Sequence, residues 1–206
     1  MDGKENGGAN SPSASRKRGR PSAKEALLDA ALDLVAEHGF EGLTYDALSE
    51  RSGTSKGGLL YHFPSKEALL RDITERLAAR YSDARRVAVE SLPPSPSREL
   101  KGNTLASLNN SSNSDNVSAK MMVSGHWDAE VGKKHRRMRF DDISKGVGFD
   151  RAAVVYLATE GLWFMEIAGR SPFTPAERAR IAEILLDLAD GAQIQDPPPT
   201  TPSSSR

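Results

Sequence analysis

The sequence has no cysteine, which excludes disulfides, thiolate metal sites and a cysteine nucleophile together. It has no apolar run long enough to cross a bilayer, so no membrane partner is expected. The opening MDGKENGGAN lacks the apolar core of a signal peptide, and a cytoplasmic location is expected. Net charge is also missing, because 28 Lys and Arg balance 28 Asp and Glu. No nucleophile elbow, phosphate-binding glycine loop or paired-carboxylate arrangement is present, so neither an enzyme nor a cofactor is expected. His126, Asp128, His135, Asp141 and Asp142 are metal-capable residue types, but their spacing matches no tetrahedral site. They read as surface residues on polar helices, and no metal is expected.

Zero net charge hides a local asymmetry. Arg16, Lys17, Arg18, Arg20 and Lys24 crowd one short stretch whose first acid is Glu25. A basic arm on a neutral protein points to a polyanionic partner.

The 206 residues, with 37% hydrophobic and 27% charged, suffice for one small and one medium soluble domain. Residues 1–15 and 195–206 are rich in Gly, Ser, Asn and Pro and are expected to be disordered tails. Three prolines within 91–97 break any helix, which places a domain junction near them. A first domain with its basic arm is counted over 16–80, and a helical domain over 81–194. The polar run at 109–116 reads as a loop.

Helical periodicity dominates and no stretch of useful length alternates like a strand. Helix 1 is expected over Ala23–His38, capped by Ser22 and stopped by Gly39. Helix 2 is expected from the cap Thr44 to before Gly53, and helix 3 over Ser55–Tyr61. Phe63-Pro64 ends helix 3, and Ser65 caps a fourth helix that turns Leu69, Leu70, Ile73 and Leu77 inward. Further helices are expected over Ser97–Leu108, Val117–Val131, Lys133–Lys145 and Asp150–Ala168. A last one opens on Thr174-Pro175-Ala176-Glu177, a capping box with proline in the first turn, and buries Ile181, Ile184, Leu185 and Leu188. The fold class is all-α, with about nine helices.

Two short helices joined by SGTS, with a third before them, form a helix-turn-helix pattern. The N-terminal end of its second helix faces base edges in the major groove, so residues there must be small or be good donors. Thr54, Ser55, Lys56, Gly57 and Gly58 meet that need. Two adjacent glycines cost a helix roughly 1 kcal/mol each relative to alanine. Close approach to DNA accounts for them; tight packing on helix 1 is the competing account. Thr44, Tyr61, His62 and Lys66 are placed to hold phosphates, Thr44 and Lys66 at helix N-termini. A structural hydrogen-bonding role is the alternative for His62. Arg18 and Arg20, in Arg-Gly-Arg-Pro, suit a narrow minor groove, or else form a solvated basic tail.

The stretch Arg18–Leu70 resembles the DNA-binding domain of the TetR family of regulators. The resemblance rests on Ala30-Ala31-Leu32, Val35, Gly39-Phe40, Thr44, Leu48, Ser52-Gly53-Thr54-Ser55, Lys56-Gly57, Tyr61-His62-Phe63, Lys66-Glu67 and Leu69. It covers about a quarter of the chain closely. One departure is Leu60, where many relatives carry an aromatic. The resemblance implies a repressor that binds a palindromic double-stranded operator as a homodimer. It implies that the last two helices, within residues 150–190, pair with their copies, and that helices 5 to 8 enclose a ligand cavity. Met121, Met122, Trp127, Met138 and Trp163 suit a pocket for an apolar small-molecule effector, or are simply core. An architectural DNA-binding protein without an effector is the alternative function.

Overall fold

In a computed structural model the chain is all-helical among its described residues, which are 22–109, 117–118, 120–122 and 124–194. The helices are α1 (Ala23–His38), α2 (Tyr45–Ser52), α3 (Lys56–His62), α4 (Lys66–Glu90) and α5 (Arg98–Leu108). A short helical stretch at 117–122, described except at 119, is α6. Then come α7 (Ala129–Ser144), α8 (Phe149–Ile167) and α9 (Pro175–Asp190). The two expected tails, the arm arginines Arg18 and Arg20, and most of the 109–116 loop lie outside the described residues.

The first four helices begin where their caps dictate. Ser22 forms a reciprocal capping box with Glu25. Thr44, Ser55 and Ser65 each accept a hydrogen bond from the backbone N–H three residues on, at 3.1–3.2 Å. Gly53 takes the left-handed conformation, at φ +68°, that ends α2 and makes the sharp turn. The turn is also internally tied: Ser49 donates to the Thr54 carbonyl at 2.7 Å, and the Thr54 N–H donates to Ser52 Oγ.

The sequence pattern misplaced one boundary. A helix over Val117–Val131 and another over Lys133–Lys145 were predicted. Instead, the chain turns at Ser124-Gly125, with Gly125 at φ +71°, and a new helix runs unbroken from Ala129 to Ser144. The cause is a stop and a cap. Gly125 supplies the positive φ that ends α6, and Asp128 caps α7 by accepting from the N–H groups of Glu130 and Val131 at 3.1 and 3.0 Å.

Two cores result. One is the apolar centre of α1–α4, built on Leu28, Val35, Leu48, Leu59, Phe63, Leu69 and Ile73. Val117 and Met121 of α6 are buried in it as well. The other joins α5, α7, α8 and α9 through Leu100, Ile143, Ala152, Val155, Leu162 and Leu185. Helix α4 belongs to both halves. Its 25 residues run without a break past position 80, a length of about 37 Å at 1.5 Å per residue.

Candidate nucleic-acid interface and ligand cavity

Helix α3 packs through Leu59, which is fully buried, and turns the rest of its surface outward. Ser55, Lys56 and Gly57 are exposed at its start, and Tyr61 is 84% exposed near its end. A β-carbon built on Gly57 would meet no described atom within 4 Å. Packing among the described residues therefore does not explain that glycine. Gly58 differs, because its β-carbon would come 2.9 Å from the Thr54 methyl. Close packing accounts for Gly58, although against Thr54 and not against α1.

Lys56 is held 2.5 Å from Asp46 of α2, in a pair open to solvent on both sides. Such pairs contribute at most about 1 kcal/mol, so a phosphate can replace the carboxylate. Thr44, at the start of α2, and Lys66, at the start of α4, are both exposed. Free N–H groups at these two helix ends add a favourable field for anions. His62 is half-buried, in an edge contact with the Tyr61 ring at 5.2 Å. Tyr45 donates to the Phe63 carbonyl at 2.7 Å, which fastens the end of α3 onto α2. Its partial burial, with Glu67 adding, raises its pKa above the ordinary phenol value, so it remains a donor. Lys24, the last residue of the basic stretch, is committed to the fold by an ion pair with Asp72 at 2.7 Å.

Some 150 Å³ of cavity lies where α4, α6, α7 and α8 meet. Leu77, Ala78 and Tyr81 of α4, Met122 of α6, Arg139 of α7 and Trp163 of α8 are on its wall, and Trp127 closes it beside α7. The wall is mixed rather than apolar. Arg139 lies over the rings of Tyr81 and Tyr156, at 4.5 and 5.5 Å, and faces Glu160 at 3.7 Å. Burial pushes the Glu160 carboxyl up and Arg139 and Arg136 oppose it; burial and the Glu160 charge push Tyr156 up to about 12. Burial works against the charge of Arg139 too, but Glu160 and the two tyrosines outweigh it and hold the guanidinium charged.

One face of α8 has no cover among the described residues. Val154, Leu157 and Phe164 are exposed, and Gly161 between them stands in open space. These positions recur on one side of the helix, so they form a continuous apolar strip.

Residues 27–73 match the family model of bacterial regulatory proteins of the tetR family, and residues 103–190 match a Tetracyclin repressor-like C-terminal domain. The chain belongs to the TetR family. Over 62 residues it is 45% identical to the HTH-type transcriptional regulator RutR of Escherichia coli strain K12, which is 30% of this chain and 29% of that one. The chain thus spans about three-tenths of the length of the curated relatives it matches first. Its fold follows that of a transcriptional regulator from Rhodococcus sp. Rha1, with TM-score 0.63 at 20% identity over 85% of this chain and all of the other. It also follows that of AibR, solved in complex with isovaleryl coenzyme A and operator DNA, with TM-score 0.56 at 16% identity over 81% and 97%.

Of the expected DNA-contacting residues in this TetR-family chain, Thr44, Ser55, Lys56, Gly57, Tyr61 and Lys66 are exposed, and Thr54, Gly58 and His62 are half-buried. The five expected pocket residues do not stay together. Met122, Trp127 and Trp163 line the cavity, whereas Met121 is buried in the core of the head and Met138 is 56% exposed. Arg139, Glu160, Tyr81 and Tyr156 were missed. A helical spacing of four from Tyr156 to Glu160 was the available signal, but nothing in sequence placed α7 and α4 opposite it.

Proposed function

We propose that the chain is a sequence-specific, ligand-responsive transcriptional repressor that binds a palindromic operator as a homodimer. The observation that carries this reading is Gly57: an exposed glycine inside a helix, with space around it that no described residue needs. A helix accepts that cost where a bulky partner must come close, and the major groove fits a helix of this size. Ser55 and Lys56 beside it offer donors to base edges, while Thr44, Tyr61 and Lys66 hold the phosphates that set register. Arg18 and Arg20 extend into the adjacent minor groove.

The apolar strip on α8, with α9 beside it, is the surface for a second copy. A two-fold pairing there presents two α3 helices to one face of the duplex, and their separation must match one turn of DNA. The cavity supplies the control. Helix α4 begins beside α3 and contributes Leu77, Ala78 and Tyr81 to the cavity wall. Helix α6 puts Val117 and Met121 into the head and Met122 on the cavity. A ligand that fits the cavity better in one tilt of α4 and α6 shifts the population toward that tilt, and couples to DNA by typically 1–3 kcal/mol.

Selection from random duplexes tests the reading. An enriched palindrome, protected against nuclease cleavage by the purified chain, is the expected result. Uniform retention of all sequences would replace it with the architectural reading, in which the arm and α3 hold DNA without discrimination.

A further inference from the structure

Buried donors without acceptors collect around the cavity. The indole Nε1 atoms of Trp127 and Trp163 and the Nε of Arg139 are buried and have no hydrogen-bond partner among the described residues. All three side chains belong to the cavity wall. Among the described residues, no buried side-chain acceptor on that wall is left in the same condition. Buried polar groups are almost always paired, so three orphans of one kind in one place imply that their acceptors arrive with a ligand.

The wall is also uneven in charge. Arg80 is paired with Asp29 at 2.8 Å and Arg139 with Glu160 at 3.7 Å, while His135 shares a hydrogen bond with Glu75 at 2.6 Å. Arg136 forms no ion pair or hydrogen bond at close range among the described residues but acts with Arg139 on the Glu160 carboxyl, so two guanidiniums face one carboxylate and one is in surplus. A cationic ligand would face that surplus unbalanced. A dianionic phosphate would exceed it. The remaining wall is apolar, with Leu77, Ala78 and Met122, and an apolar cavity of about 150 Å³ holds a molecule the size of benzene.

We propose that the cavity binds a compact monocarboxylic acid as its anion, with a ring-sized apolar body against Leu77, Ala78 and Met122. Its carboxylate oxygens are the acceptors missing for Trp127, Trp163 and Arg139, and Arg136 is its counter-charge. The inference rests on the reading of this cavity as the effector site. The expected apolar ligand is thereby replaced by an amphipathic one.

Matched acid and amide pairs test the charge directly, with the full chain and without DNA. Benzoate, phenylacetate and cyclohexanecarboxylate are titrated beside benzamide, phenylacetamide and cyclohexanecarboxamide, with benzylammonium as the cation. Calorimetry and quenching of Trp127 and Trp163 report binding. At least one acid should bind about 10-fold or more tightly than its amide. Arg136→Gln should weaken that acid about 10-fold and leave the amide within about 3-fold. Trp163→Phe keeps a ring but removes the N–H, and should weaken the acid about 3- to 10-fold with the melting temperature retained. Equal or tighter binding of an amide or of benzylammonium would overturn the proposal, as would silence of every acid up to about 10 mM. Operator release is scored separately. Release by a neutral or cationic compound would keep the effector reading and sink the carboxylate; acid binding that never alters DNA affinity would do the reverse.

Discussion

In the head, Leu48, Leu59, Phe63 and Ile73 are fully enclosed by α1–α4 together with Val117 and Met121. In the bundle, Val154, Leu157 and Phe164 lie open to solvent while Asn103, Thr104 and Thr159 occupy the interior. The head therefore has a closed core, completed by α6, beneath a largely polar surface. The bundle leaves apolar surface outside, which the proposed second copy would cover, and polar groups inside, of which Thr104 and Thr159 meet each other at 3.3 Å and Asn103 has no partner among the described residues. Recognition of DNA requires a rigid element, and regulation requires one whose stability changes on binding.

The largest effect should follow from breaking the outside of the bundle. Leu157→Glu combined with Phe164→Glu places two charges on the proposed dimer strip, where Leu157 is 68% exposed in the single chain. Sedimentation should show monomers, and operator affinity should fall about 100-fold or more, because a single head loses the effective concentration that the second supplies. The fold of each protomer should persist. A charge at Leu185 is the contrasting control. That side chain is only 4% exposed within its own chain, so Leu185→Glu should unfold the bundle rather than separate copies. Dimers that survive the double substitution would move the interface elsewhere.

Next in size is the outside of the head. Gly57→Val should lower specific operator binding about 100-fold in a gel shift. Its melting point should hold or rise slightly, since valine is a better helix former than glycine and no described atom stands within 4 Å of the new β-carbon. Gly58→Val should differ in kind. Contact with the Thr54 methyl should cost about 1–3 kcal/mol of stability before any DNA is added. If Gly57→Val binds its operator normally, α3 is not the helix that enters the groove.

The same division marks what sequence made legible. The head was readable because each signal is local: Ser22, Thr44, Ser55 and Ser65 cap the next helix, and Gly39 and Gly53 end the previous one. The residues proposed to contact phosphates and bases lie within a few residues of those caps, so their positions came with the helices. In the bundle, the capping box at Thr174 and the apolar run of α8 were equally clear. The stop at Gly125 and the cap at Asp128 were present in the sequence but were overridden by apolar spacing through Trp127 and Val131. The cavity was the least legible part. Arg139, Tyr81 and Glu160 sit 58, 79 and 21 residues apart in pairs along the chain, and only the packing of α4 against α7 and α8 brings them together. Met121 shows the same limit. Its neighbour Met122 reaches the cavity, but one residue along a helix turns a side chain by roughly 100°, and Met121 enters the head.

A smaller effect tests the inside of the bundle. Asn103 is fully buried, and neither its Oδ1 nor its Nδ2 has a partner among the described residues. Asn103→Leu keeps a branched side chain of similar shape and removes both orphan groups. Stability in urea should rise by about 1–2 kcal/mol. A fall instead would show that the amide has a partner in the assembled protein, which would add Asn103 to the groups that the bundle holds for another molecule.

The smallest effect lies at the seam between the two regions, where Asp128 caps α7 and ties it to α4. Its carboxylate accepts from the Val131 and Glu130 N–H groups at 3.0 and 3.1 Å and from Arg71 Nε at 3.2 Å, while its own N–H donates to Thr74 at 3.4 Å. The Val131 hydrogen bond, and after it Arg71, hold the Asp128 carboxyl below its ordinary value against the effect of burial. A carboxyl lowered by folding stabilises the native state above its unfolded pKa, and that contribution is lost as pH falls through the folded pKa. Asp128→Ala should therefore cost about 1 kcal/mol near pH 7, the usual price of a lost N-cap. The gap from the parent chain should narrow as pH falls from about 5 toward 3, where the parent loses the same charge. Differences between the two chains cancel the titration of all other carboxylates, provided Asp128 does not couple to them. Asp128→Asn separates the two parts of the effect, because asparagine caps almost as well but has no charge for Arg71. It should recover most of the stability at neutral pH and show a smaller pH-dependent gap. Urea unfolding of the three chains across that range gives the measurement. A gap for Asp128→Ala that stays constant down to pH 3 would mean that the carboxylate charge does not hold this seam, and that Thr74 and the packing of Trp127 do.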